Sequence, residues 1–176
     1  MHITRKDIEA FPHLYKINLM NSISGYKSAN LIGTKSIIDG VANVAVFSSV
    51  VHYGSNPPIL GFVLRPTTVV RNTYDNLKET GFYTINAINE TMIEDAHHSS
   101  AKYAAHISEF DKTNLTPEYK ENFFAPFVTE SPLQIGMKFL EEYQIKANDT
   151  ILVLGEVADL YVEESMLSED GFLNLS

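Results

Sequence analysis

Between Gly40 and Asn76 the chain gathers small hydroxyls, strand-end amides and a guanidinium beside a helix start. Asn43, Ala45, Phe47, Ser48 and Ser49 read as a strand ending in hydroxyls, followed by a loop to Pro57-Pro58. A buried strand then runs to Arg65-Pro66, and Arg71-Asn72-Thr73 opens a helix. The stretch holds no cluster of acids, cysteines or metal ligands, so it suits a phosphate and a flat polar ring better than general acid–base chemistry. A helix N-terminus presents unpaired N–H groups and partial positive charge, and an arginine beside it adds a planar donor fork for phosphate oxygens. Hydrogen bonds to a charged acceptor contribute about 1.5–3 kcal/mol each. Each feature also has a plainer use. Serines at a strand end satisfy turns. Arg71 can sit exposed on an ordinary capped helix, and Pro57-Pro58 can stiffen a connection as easily as wall a ring.

Other chemistries find less support. His52 follows the hydroxyl-rich strand and could bond a ring edge or merely cap the strand, while His97 and His98 sit in a helical stretch. No His-x-x-x-His or His-Glu-x-x-His spacing occurs, which argues against a catalytic zinc. Ser99, Ser100 and Lys102 could meet an anion or face solvent. The adjacent carboxylates Glu141-Glu142 and Glu163-Glu164 point to opposite faces if they lie on strands, so they form no acid–base dyad. With no cysteine, thiol catalysis, iron–sulfur clusters and disulfides are absent. The nine glycines never take the G-x-G-x-x-G or phosphate-loop spacing. A net charge of −9 argues against nucleic acid as the main partner. Met1 to Lys6 lacks an apolar run, and no window is long and apolar enough to span a bilayer, so a cytoplasmic, non-membrane protein is expected. The sequons at Asn89, Asn114, Asn148 and Asn174 are then chance matches.

The elements that must position these residues follow from pattern. The 176 residues fit one domain with a core large enough to need no staple. Thr4 and Asp7 predict a capped helix to about Phe11, before Pro12. Residues 14–24 and 28–38 read as strands around a Gly25-Tyr26-Lys27 turn, and Asp39-Gly40 signals a hairpin into a strand over 41–51. The unbroken apolar run Ile59–Leu64 predicts a strand covered on both faces. Asn72 reads as an N-cap with Asp75 at the third helical position, Gly81 ends that helix, and a strand follows over 82–88. A second helix is expected over 91–105, and Thr116-Pro117 reads as opening a third. Two long strands, 132–145 and 150–162, meet at Ala147-Asn148-Asp149, and the last residues form a turn and a beginning strand. About seven strands with two or three helices inserted predict a mainly β protein, a barrel.

In order and spacing, several segments resemble the flavin reductase-like, FMN-binding split-barrel family. They are Asp39 to Ser49, Pro57-Pro58, Asn72-Thr73 leading to Asn76-Leu77, Thr80-Gly81 and the Phe82–Asn86 strand. Ser99 to Tyr103, Ser108-Glu109-Phe110, Ala125 to Val128, Glu130-Ser131-Pro132 and Leu154 to Val157 continue it over nearly the whole chain.

The resemblance implies a Greek-key-like split β-barrel with peripheral helices, binding FMN at a homodimer interface and passing electrons from NADH or NADPH to a flavin or another acceptor. It implies that Asn43, Ala45, Phe47, Ser48 and Ser49 line the ring and ribityl chain. Arg71, Asn72 and Thr73 would hold the phosphate. Where relatives carry a Pro-Arg-Pro element, this chain has Ser24-Gly25-Tyr26-Lys27-Ser28, so Lys27 stands where an arginine is usual. The chain also stops near Gly171-Phe172-Leu173, where relatives usually continue. In such a site the cofactor carries the hydride chemistry and no side chain need act as acid or base. Nicotinamide and flavin rings would stack at about 3–3.5 Å, and amides near Ser48 and Ser49 would steady negative charge on the ring. Two other readings stay open: an FMN-binding electron carrier that meets no nicotinamide, and a flavin-free split-barrel binding module.

Overall fold

The computed structural model describes residues 1–104 and 106–175. Its centre is one antiparallel sheet of seven strands in the order β2-β1-β5-β8-β9-β4-β3. The strands are β1 Asn30–Lys35, β2 Ala42–Phe47, β3 Val51–Ser55, β4 Pro58–Leu64, β5 Phe82–Ala87, β8 Leu133–Ile145 and β9 Thr150–Val162. Two short strands, β6 Pro117–Glu118 and β7 Phe127–Val128, pair apart from it. The split-barrel expectation holds: β2 and β3 are opposite edges of the sheet yet consecutive in the chain, so the sheet curls until its edges approach.

One residue fastens that seam. The β3–β4 register pairs Val51 with Gly61, and continuing it by two residues sets Ser49 opposite Val63. There the Ser49 hydroxyl accepts from the Val63 N–H and donates to the Val63 carbonyl, each at 3.1 Å. A side chain thus extends the ladder while the backbone turns away toward β2. The strand expected as one piece over 41–51 is therefore two, broken at Ser48–Val50.

Alternation on β1 sends side chains to two cores. Ile32 joins Phe62, Leu64, Leu77, Tyr83, Ile85, Met137 and Val153 inside the barrel. Leu31 joins Val44, Met92, Ala96, Phe110, Leu115 and Val128 on the other face. Buried hydrogen bonds from β5 hold the 125–128 segment: Thr84 Oγ1 donates to Pro126 O at 2.6 Å, and Val128 N donates to Asn86 Oδ1 at 3.0 Å.

Among the described residues four α-helices accompany the sheet: α1 Arg5–Ala10, α2 His13–Ser22, α3 Asn72–Thr80 and α4 Ile93–His98. α1 begins on the expected Thr4–Asp7 capping box. Residues 14–24, expected as a strand, instead form α2. Leu14, Lys16, Leu19 and Met20 are unbranched at Cβ and favour helix, and Pro12 fixes the entry. Gly81, left-handed at φ 74°, ends α3 as expected, but Arg71 rather than Asn72 occupies its N-cap position. The helix expected over 91–105 stops at His98, where Ser99 and Ser100 hydroxyls bond back to the carbonyls of Ala96 and His97, each at 2.7 Å. Thr116-Pro117 opens no helix, because the Thr116 carbonyl is taken by the Thr129 N–H at 3.0 Å and Pro117 pairs with Val128.

Candidate functional site

β2 carries the first group of expected site residues. Ala42, Val44 and Val46 face the Leu31 core, so Asn43, Ala45 and Phe47 face the other way. Phe47 packs edge-on against Phe62, ring centres 5.1 Å apart. Ala45, half-buried, leaves only a methyl between that aromatic and the polar Asn43. Asn43 is buried and bonded within the protein. In the amide orientation that satisfies both its ends, it accepts from the Thr73 hydroxyl and donates to Glu109 Oε2, each at 3.1 Å. Thr73 is buried as well. This pair ties β2 to the first turn of α3.

Glu109 completes that network, a role that its place among the sequence landmarks did not reveal. Buried and without an ion-pair partner among the described residues, it also accepts from the Val44 N–H at 3.3 Å. Burial pushes its carboxyl above the usual carboxylate range.

Ser48 and Ser49 come next. Ser49 is committed to the seam, and Ser48 stands exposed beside it. Because Ser49 grips Val63, the β2–β3 connection lies next to the strand end from which Arg65 departs two residues later. From Arg65 to Val70 the chain is irregular and, apart from half-buried Pro66, exposed. It carries Thr67 and Thr68 between Arg65 and Arg71. Arg71 is half-buried, and its Nε lies 3.5 Å from Pro66 O. The seam thus sets Ser48 beside the end of β4, and the loop that follows adds Arg65 and the two threonines, read from sequence as a strand end and its loop, before it reaches Arg71. Two arginines six residues apart around paired threonines were the available signal.

Other expected residues lie elsewhere. Asn72 lines, together with Asn43, a cleft of about 240 Å³ between the β1–β2 turn and α3, with Asp39, Asp75 and Glu79 on its walls. Three carboxylates make that cleft a poor phosphate receptor. His52 is exposed on edge strand β3, its Nε2 3.2 Å from Ser55 Oγ. Lys27 is exposed in the segment before β1. Among the described residues no group of three His, Cys, Asp or Glu could hold a metal ion, and no helix is long and apolar enough to cross a membrane.

Comparison with known proteins bears on this arrangement. The model of the flavin reductase like domain matches residues 27–175. A crystal structure from Shewanella frigidimarina NCIMB 400, described as a flavin reductase with split barrel domain, is 43% identical. It superposes with a TM-score of 0.94 over 99% of this chain and 86% of that one. Flavoredoxin of Desulfovibrio vulgaris (Miyazaki F) is 26% identical, with a TM-score of 0.72 over 86% of this chain and 78% of its own. A protein of Aquifex aeolicus (strain VF5) is 27% identical over 134 residues, 75% of this chain and 67% of that one.

Proposed function

The chain belongs to the flavin reductase-like domain family, and on that premise we propose that it binds FMN and works as an NAD(P)H-dependent oxidoreductase. The observation that supports this reading is the seam: Ser49 on Val63 holds the β2–β3 connection at the end of β4, from which the loop bracketed by Arg65 and Arg71 departs. The donor set fits the cofactor. Two guanidiniums, three hydroxyls and loop amides match a phosphate dianion. The methyl of Ala45 between Asn43 and Phe47 leaves one face of β2 low enough for a flat ring.

In this reading Arg71 and Arg65 hold the phosphate, with Ser48, Thr67 and Thr68 as neutral donors. Asn43 and Thr73 position β2 against α3 rather than touching the ligand. Amides at the β2–β3 break present N–H dipoles to the ring's polar edge. Bound FMN supplies the capacity to take a hydride from NADH or NADPH and return electrons to a flavin or other acceptor. The residues do no proton transfer in this scheme. They bind, orient and keep one ring face open for the nicotinamide. Homodimerisation is part of the proposal, because β3 stays exposed at the barrel edge, with Val51 and Tyr53 each about half exposed.

The absorbance of the purified protein tests it. A yellow chromophore, or one acquired on adding FMN, should bleach when mixed anaerobically with NADH or NADPH. Binding with bleaching by dithionite alone would assign the protein as an electron carrier. No binding, and no rise in melting temperature with FMN, would leave a flavin-free module.

A further inference from the structure

The first 27 residues are built unlike the rest. α1 and α2 bury no side chain, and Leu14 and Ile23 are 73% and 66% exposed. Among the described residues the polar and ring contacts of this arm are local: Arg5 with Glu9 at 2.7 Å, Lys16 Nζ to Glu9 O at 3.2 Å, Phe11 against Tyr15. α2 has ten residues, and isolated helices shorter than about 12–15 residues are marginal in water. Its apolar residues, Leu14, Tyr15, Ile17, Leu19 and Met20, fall on more than one side, the pattern of a helix enclosed by protein. α2 therefore needs a partner that its own barrel does not provide.

Charge separates the arm from the body too. Arg5, Lys6, Lys16 and Lys27 against Asp7 and Glu9 give residues 1–27 a net +2. The whole chain carries −9, which leaves −11 on the remainder.

A complementary surface lies on the long hairpin. β9 pairs along the whole of β8, whereas β5 covers the other edge only over Gln134–Lys138. The Phe139 N–H still donates to Gly81 O at 2.9 Å. Beyond it, residues 140–145 have no strand neighbour on that edge among the described residues. Leu140, Tyr143 and Ile145 are 44%, 51% and 38% exposed there, beside the acidic Glu141 and Glu142. An open, partly apolar edge of this kind invites another chain.

We infer that α2 of one copy covers residues 140–145 of β8 in a second copy of this chain, and that the two copies exchange arms reciprocally. The contact is isologous, apolar on α2 against Leu140, Tyr143 and Ile145, with Lys16 near the hairpin's carboxylates. A lipid surface fits less well, because anionic headgroups would repel a body of charge −11. The inference adds a defined contact to the dimer proposed above and does not depend on flavin binding.

The chain's lack of cysteine makes the test clean. Ile17→Cys and Tyr143→Cys are made as single variants, mixed, oxidised, and resolved on a non-reducing gel. A covalent pair at twice the chain mass should form in the mixture and be several-fold weaker for either variant alone. The double variant should link two chains. Closure within one chain by the double variant would overturn the inference, as would pairing of Ile17→Cys with itself alone, or no cross-link at all. Vesicles of phosphatidylglycerol that sediment with the wild-type protein, but not with Ile17→Asp, would assign α2 to a membrane instead and overturn it too. As a second readout, Ile17→Asp should raise the dimer dissociation constant at least tenfold by sedimentation equilibrium. An unchanged constant counts against the arm.

Discussion

Truncating Arg71 separates the proposed phosphate contact from every other part of the site. Among the described residues its guanidinium hydrogen-bonds only to Pro66 O, from Nε at 3.5 Å, too long to contribute much. Arg71→Ala should therefore leave the urea midpoint nearly unchanged, within about 0.5 kcal/mol. Its effect on ligand is larger. Charge-assisted hydrogen bonds to a phosphate contribute about 1.5–3 kcal/mol, and about 1.4 kcal/mol is a factor of ten. FMN should bind about 10- to 150-fold more weakly. Riboflavin has the same ring without the phosphate, so its affinity should move by no more than about twofold. Quenching of flavin fluorescence gives both constants on one preparation, and their ratio isolates the phosphate. Arg71→Lys keeps the charge but loses the fork, and should fall between. Raising salt should shrink the wild-type preference for FMN, because this partly exposed contact is screened. If Arg71→Ala weakens both flavins equally, or leaves the ratio untouched, the phosphate does not sit at this loop.

Asp75→Asn and Glu79→Gln, on the acidic cleft beside Asn72, should leave FMN affinity unchanged or slightly tighter in the same titration; a loss beyond about threefold would move the ligand into that cleft. Glu109 gives a pH signature. Burial raises its folded-state pKa above the usual carboxylate range, so its stabilising effect is complete below the unfolded pKa and is lost as pH rises through the folded one. Glu109→Gln should therefore gain urea resistance relative to wild type at pH 8 but not at pH 4, and a loss at pH 8 that shrinks at pH 4 would show that the charged form is the stabilising one. Tyr83 Oη is buried in the barrel without a hydrogen-bond partner among the described residues, and burial holds its phenol well above the usual range. Tyr83→Phe should stabilise by about 1 kcal/mol, a rise of about 2–4 °C in melting temperature, whereas a fall would reveal a hidden partner. Gly155→Ala should cost about 1–3 kcal/mol, because its Cβ would run into Tyr83 Oη and lie 2.9 Å from Lys138 O.

What the sequence disclosed follows the range of the forces involved. The Thr4–Asp7 box, Gly81 after α3 and the two long strands around Asn148 rest on neighbours within a few residues, and all appear as expected. α2 failed because Ile17, Ile23 and the aromatic Tyr15 read as strand, while among the described residues no strand pairs with them. Thr116-Pro117 failed because a strand distant in sequence claims the Thr116 carbonyl. The site divides similarly. The alternation that put Asn43, Ala45 and Phe47 on one face was legible. That Asn43 and Thr73 bind each other rather than face solvent depends on Glu109, some 65 residues away in the chain from Val44, and no local pattern shows it.

The seam explains why no short motif marks this site. In a phosphate loop the donors are adjacent in sequence and the loop's own conformation aligns them. Here Ser48 belongs to the turn after β2, whereas Arg65 and Arg71 follow β4, and nothing local holds them at a fixed separation. In the proposed site their alignment would come from barrel closure, through the paired 3.1 Å bonds of Ser49 to Val63 and the Asn43–Thr73 link at the base of α3. Binding and closure are then coupled thermodynamically. A ligand that bridges the Ser48 and Arg71 sides stabilises the closed sheet by the same free energy with which closure organises the ligand's contacts. In the proposed site polar residues at the seam should affect flavin affinity without touching flavin, and their effect on affinity should track their effect on stability, as that of Arg71 should not.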